Sequence, residues 1–239
     1  MRADDQARVQ DTWYVPLFYC VLAAAQAVNS PSDLASVPLR LGENIYALAA
    51  WIDKTLDEYS DIEASTRLMR RLTMKFKEGT PIPDSFYPPH AAPPELRDAL
   101  NLITQDPHGR PLRGKMAQII EEIVAIASQK RTAAEVVEYA DILQREAVAA
   151  ADWFSLPFAF RTQSLQVKFS RFATTLFTAG LYYDAAIDME DDFRAGLLTL
   201  VPTRRAKVTL LYLALKNLVA STLRYPRPTI KYYQALKAL

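Results

Sequence analysis

Two groups of carboxylates carry the clearest chemistry in this chain. Asp53, Asp57 and Glu58 fall in AAWIDKTLDEYSD, and Asp184, Asp188, Asp191 and Asp192 fall in LYYDAAIDMEDDFRAG. A helix advances about 100° per residue, so side chains four and seven apart share a face. That spacing aligns Asp53 with Asp57, and Asp184 with Asp188 and Asp191. Like charges in such a stripe destabilise a bare helix. Two stripes facing one another would repel unless cations sat between them. Mg²⁺ suits that position, because it takes oxygen ligands, keeps several waters and bridges one or two carboxylates to a substrate's phosphates. Either cluster alone fits a solvated helix face better than a metal site.

The residues below each cluster favour a built site. On helical spacing Tyr46, Ala49 and Ala50 share the face of Asp53 and Asp57. Ala173, Phe177 and Gly180 share the face of Asp184, Asp188 and Asp191. Each helix thus joins an apolar lower face to a carboxylate rim. Side by side, two such helices would form a deep apolar pocket with a metal-binding mouth. That layout suits a ligand with a hydrocarbon tail and a diphosphate head.

The elements that must hold these residues read as almost wholly helical. Glycine is scarce, alanine and leucine are abundant, and no period-two alternation bounded by turn residues stands out. Helices are expected near 11–28, 42–59, 61–77, 94–105, 112–129, 133–154, 163–195, 203–224 and 227–237. Ser60-Asp-Ile-Glu63 and Thr132-Ala-Ala-Glu135 read as capping boxes at two of the starts. Pro16 and Gln26 interrupt the apolar stretch Trp13–Val28, which reads as a buried helix. The proline-rich segment 78–95 reads as a surface connector rather than a lid. The expected architecture is one all-α domain over residues 1–239, a helical bundle with a central apolar cavity.

Composition narrows the chemistry. The 239 residues carry a formal net charge of +1, so nothing in the bulk charge points to nucleic acid. Cys20 is alone, which rules out an intrachain disulfide and fits a cytoplasmic setting. The two histidines, His90 and His108, lie in Pro/Gly-rich stretches and supply no zinc site of the usual type. No Ser/His/Asp or Cys/His arrangement and no glycine-rich phosphate loop is present.

The string YALAAWIDKTLDE, residues 46–58, is similar in register to the first motif of the squalene/phytoene synthase branch of the class I all-α isoprenoid synthases. Alanine stands where that motif carries an arginine before its first aspartate. DMEDDFRAGLLTLVP, residues 188–202, resembles that family's second aspartate-rich motif, with Arg194, Gly196 and Pro202 in the same order. The longer string DAAIDMEDDFRAG also resembles bacterial large-terpene synthases of the tetraprenyl-β-curcumene type. The resemblance implies an isoprenoid-synthase fold and a Mg²⁺-dependent prenyltransferase or terpene synthase. Its catalytic carboxylates would be Asp53, Asp57, Asp184 and Asp188, with Asp191 and Asp192 as further metal ligands. The substrate would be a prenyl diphosphate, contacted by Arg194 at the head and by Tyr46, Phe177 and Gly180 along the tail. Two chains condensed head to head, or one chain cyclised, are both open outcomes.

Other cations within reach in sequence are Arg70, Arg71 and Lys75 before the middle of the chain, and Lys168 and Arg171 ahead of the second cluster. The tail LRYPRPTIKYYQAL fits a short packed helix with snorkelling lysines, or contact with a membrane surface. Family members carry more helix after the second motif; a trimmed tail, a differently closed pocket and closure by a partner subunit, as in a homodimer, are the open readings. Two other classes use parts of the same pattern: an all-α metal-dependent nucleotide pyrophosphohydrolase, and a helical interaction protein without catalysis. The apolar faces below the carboxylates argue against the first, which needs a polar, base-stacking pocket.

Overall fold

The computed structural model describes residues 3–28, 34–58, 62–80 and 94–238. They are mostly helical. In chain order the helices are α1 (Ala3–Val28), α2 (Leu39–Glu58), α3 (Ile62–Glu78), α4 (Pro94–Gln105), α5 (Arg113–Thr132), α6 (Val136–Ser155), α7 (Gln163–Arg194), α8 (Arg204–Arg224) and α9 (Pro226–Leu236). These bounds follow the apolar periodicity closely. The all-α expectation holds for the described residues, apart from one short strand pair. Segment 81–93, most of the proline-rich stretch and with it His90, lies outside them, as does Ser60 of the first capping box.

Two local expectations change. The first helix begins at Ala3 rather than near residue 11, and it runs through Pro16. Proline removes one helical hydrogen bond, but α1 packs along both α2 and α9, and that burial holds it in one piece. Thr132 does not open a helix. It is the last residue of α5, and its hydroxyl donates back to the Gln129 carbonyl at 3.1 Å. Extended Glu135 precedes α6 instead, and the Glu138 carboxylate accepts from the Ala134 N–H. The functioning threonine caps are Thr162, which accepts from the Leu165 N–H before α7, and Thr203, which accepts from the Ala206 N–H before α8.

Two strands escape a reading by periodicity. β1 (Leu34–Ser36) pairs antiparallel with β2 (Phe158–Phe160), and the Val37 N–H adds a bond to the Pro157 carbonyl at 2.9 Å. Each strand leads directly into a helix, β1 into α2 and β2 into α7. The pairing therefore starts both carboxylate-bearing helices from one end of the bundle.

Helix α6 then fixes their direction. Near its C-terminus, Trp153 Nε1 donates to the Ile45 carbonyl at 2.9 Å, and the Tyr46 hydroxyl donates to the Phe154 carbonyl at 2.7 Å. Just before its N-terminus, Arg131 Nη2 donates to the Leu56 carbonyl at 2.6 Å. So α2 runs antiparallel to α6. The Tyr182 hydroxyl reaches the Ala140 carbonyl at 3.1 Å, and Thr199 Oγ1 reaches the Ala133 carbonyl at 2.8 Å. So α7 also runs antiparallel to α6. Helices α2 and α7 are therefore parallel, and their C-terminal ends converge on the α5–α6 turn.

The core gathers around this arrangement. Trp153, Tyr46, Phe18, Phe76, Phe169 and Phe172 are among its largest fully buried side chains. Gly42 marks the tightest crossing of α1 and α2, because a Cβ there would lie 2.6 Å from the ring of buried Phe18. Gly180, on exposed α7, has nothing within 4 Å of such a Cβ. We expect opposite effects from the same substitution, measured by denaturant unfolding. In Gly42→Ala the overpacking penalty of about 1–3 kcal/mol should exceed the ~1 kcal/mol gained in helix propensity. Gly180→Ala should only gain, by up to about 1 kcal/mol. Equal shifts in both variants would show that the α1–α2 crossing is loosely packed.

Candidate functional site at the converging ends of two helices

The aromatic side chains set the level of the site. The Phe154 ring lies 4.6 Å from the Tyr46 ring of α2 and 5.2 Å from the Phe177 ring of α7. Tyr46 and Phe177 therefore sit at a common height on two parallel helices. Seven residues further along each helix, about 10 Å of rise, come Asp53 and Asp184. Both carboxylates are exposed. The sequence expectation of an apolar level below a carboxylate rim thus has a structural counterpart on each helix. Between them the ring of Phe154 fills the space that the sequence reading assigns to a central cavity. Phe177 is partly buried and packed against the core, while Gly180 is exposed.

On the α2 side, Asp53 Oδ2 accepts from the Tyr14 hydroxyl of α1 at 3.0 Å. The Tyr14 ring in turn lies 6.1 Å from that of Phe154. The side chains of Asp57 and Glu58 lie outside the described residues.

On the α7 side, charge is unevenly neutralised. Arg194 grips Asp191 at 2.6 Å and Glu190 at 3.2 Å, and Lys207 of α8 grips Glu190 at 2.6 Å. The Lys207 hydrogen bond and charge hold the Glu190 carboxyl below its ordinary pKa. Asp192 is half-buried. No cation among the described residues pairs with Asp184 or Asp188. Desolvation, and then the neighbouring Asp188 carboxylate, raise the pKa of Asp184. Burial is the larger cause, and the like charge of Asp188 adds to it. Among the described residues no group of three or more His, Cys, Asp or Glu side chains converges as a cation cage. A pair of carboxylates is nonetheless the protein share that Mg²⁺ commonly takes when phosphates and water complete its shell.

The other cations named from sequence lie elsewhere. Lys168 and Arg171 stand thirteen or more residues before Asp184, roughly 20 Å along α7. With Gln163, Ser164, Val167 and Tyr225 they line an open depression of about 420 Å³ at the far end of that helix. It is open and remote from the carboxylates. Lys75 is held by Glu78 and Thr80. Arg70 and Arg71 are exposed on α3.

Three residues join the site that spacing alone did not reveal. Tyr14 reaches Asp53 across 39 residues and Arg131 reaches Leu56 across 75. Tyr232 of α9 interacts electrostatically with Asp184 and with Cys20, and Tyr46 with Tyr232 and Cys20. Burial drives the Tyr232 and Tyr46 phenols well above their ordinary pKa. The basic–aromatic tail read from sequence thus packs along α1, with Tyr232 partly buried against the core.

Compared with family models, with curated proteins and with solved structures, the chain matches none.

The raised Asp184 carboxyl makes a signed prediction. A carboxyl with a raised folded-state pKa binds its proton more tightly folded than unfolded. Its contribution to stability then falls as pH rises from the ordinary carboxylate range through the raised value. Asp184→Asn removes that loss. In the presence of EDTA the variant should be more stable than the parent by a few tenths of a kcal/mol near pH 7. The gap should narrow as pH drops to about 3, below the unfolded carboxylate pKa. Melting temperatures across that range give the answer; a gap independent of pH would show that neither burial nor Asp188 raises the Asp184 carboxyl.

Proposed function

We propose that this chain is a Mg²⁺-dependent isoprenoid synthase of the squalene/phytoene type that ionises a prenyl diphosphate. The observation that carries the reading is the uncompensated Asp184–Asp188 pair, at the bundle end toward which α2 carries Asp53, one aromatic level above Tyr46, Phe154 and Phe177. The resemblance of residues 46–58 and 188–202 to the family's two motifs supports the same assignment. Parallel α2 and α7 suit it, because both motifs then open at one end of one bundle.

In this reading the Asp184–Asp188 pair would hold Mg²⁺, with Asp53 of α2 as a further carboxylate and Asp57 following it on the same helical face. The metal supplies Lewis acidity that stabilises charge on the departing diphosphate. Asp191 is engaged by Arg194, so it enters the site only if that arginine turns to the diphosphate. The chain's remaining part is to receive an allylic cation away from water. The faces of Tyr46, Phe154 and Phe177 are suited to this, since aromatic rings attract cations through their quadrupole. A prenyl tail takes its place by parting these rings, and Phe177 borders it on the α7 side. Capture by a second prenyl chain or by an internal double bond decides between condensation and cyclisation.

The test is incubation with geranyl, farnesyl and geranylgeranyl diphosphates and Mg²⁺, followed by mass analysis of extracted products. The parent should release diphosphate and yield a hydrocarbon or alcohol product. Asp53→Asn and Asp184→Asn should each reduce turnover by about 100-fold or more while remaining folded. Full activity in both would exclude the metal-site assignment, and release of pyrophosphate from added nucleoside triphosphates, without turnover of the prenyl substrates, would favour the pyrophosphohydrolase class. Phe177→Ala separates pocket from packing. As a tail-lining residue it should shift relative kcat/KM toward the longer substrate. A purely structural ring should instead cost up to about 3–5 kcal/mol of stability and leave selectivity unchanged.

A further inference from the structure

The chain's near-neutral charge conceals a strong partition. Residues 193–239 hold nine of the 28 basic residues and none of the 27 acidic ones. The basic segment is also where the structure turns apolar side chains outward. On α8, Ala206, Leu210, Ala214 and Ser221 are buried, and the helix packs chiefly against α7. The opposite face carries Val208, Leu211, Tyr212, Leu215, Val219 and Leu223, between 40% and 76% exposed. Their spacing keeps them in one stripe along fifteen residues, about 22 Å. A helix on a globular surface ordinarily turns polar residues to solvent, so this stripe is inverted. Exposed Ile230 and Tyr233 extend the apolar surface onto α9.

Charge borders the stripe. Arg204 and Arg205 stand at its start, Lys216 on its flank, and Arg224, Arg227 and Lys231 at its far end, all exposed. No carboxylate among the described residues pairs with them. An uninterrupted apolar stripe marks a surface with a partner, and its basic border selects an anionic one. We propose that the outer face of α8, continued by α9, docks on an anionic lipid bilayer. α8 lies in the interface, its apolar stripe reaches the acyl boundary and its basic residues meet lipid phosphates. Tyr212 and Tyr233 suit the headgroup depth, where an aromatic ring can be half wet. A second copy of this chain is a poorer occupant, because two such basic faces would repel. α8 is long and apolar enough by length and composition to cross a membrane. Its inner face is nonetheless packed into the fold, and Thr229 ties its last turn to α9 through Ser221 at 3.1 Å. It lies on the bilayer rather than through it. The proposal is independent of the isoprenoid-synthase reading.

Flotation of the purified full chain with vesicles tests it. The vesicles are phosphatidylcholine alone, or phosphatidylcholine with about 30% phosphatidylglycerol. The parent should bind the anionic vesicles about tenfold more strongly than the neutral ones, and salt should weaken that binding. Leu215→Glu, at an exposed position, should reduce binding about tenfold with an unchanged melting temperature. Val137→Glu, equally exposed but on α6, should leave it intact. Arg204→Glu with Arg205→Glu should abolish the preference for anionic lipid. Equal binding to both vesicles, no binding, or no effect of Leu215→Glu would overturn the proposal. So would a dimer by light scattering that Leu215→Glu dissolves, since a second copy would then cover the face. Resistance to alkaline carbonate extraction would overturn it in favour of a spanning helix.

Discussion

The last turn of α6 is the joint on which the rest of the molecule depends. Trp153 and Phe154 use one indole N–H, one carbonyl and one ring to hold α2 and α7 at a common height. These polar groups are buried, and an unmade hydrogen bond there would leave them without water, so the arrangement is strongly specified. The strand pair alone would start α2 and α7 from one end without fixing how far each advances. The α6 joint supplies that register. A slip of one residue in either helix would turn its carboxylates about 100° away from the other.

Register matters because the carboxylates are not equivalent. Glu190 and Asp191 are answered by Lys207 and Arg194, whereas Asp184 faces Asp188 without a cation. A helix carrying several acids can neutralise most of them cheaply at its surface. Leaving one adjacent pair unanswered concentrates the repulsion where a dication would relieve it. Asp184 and Asp188 stand on the outward side of α7, so neither acid is needed to fill the core. The aromatic level below has the opposite character, being dry and well packed. The two together give a boundary between charge and hydrocarbon within two helical turns.

Much of the fold was legible because it rests on local periodicity. The long apolar repeats of α5 to α8 set their bounds within a few residues, and the acidic stripes were visible as spacing. What was hidden depends on contacts between distant segments. Strands of three residues carry no usable alternation, so β1 and β2 could not be seen. Thr132 fits a helix start as well as a helix end, and only the continuation of α5 decides between them. Tyr14, Arg131 and Tyr232 reach the site from other helices, and no spacing rule links them to Asp53, Leu56 or Asp184. The aromatic filling between α2 and α7 was equally invisible. Spacing showed which side chains share a face, but not that Phe154 would stand between the two faces.

The uneven charge of the chain follows from the same geometry. The acids of α7 end at Asp192, and the basic segment begins immediately after it, so the two regions meet at one seam. Lys207 spans that seam, from the first turn of α8 to Glu190 on α7. This pair is exposed and contributes little to stability by itself. Its consequence is positional, because it sets the start of the outward apolar stripe beside the end of α7 that carries the acids.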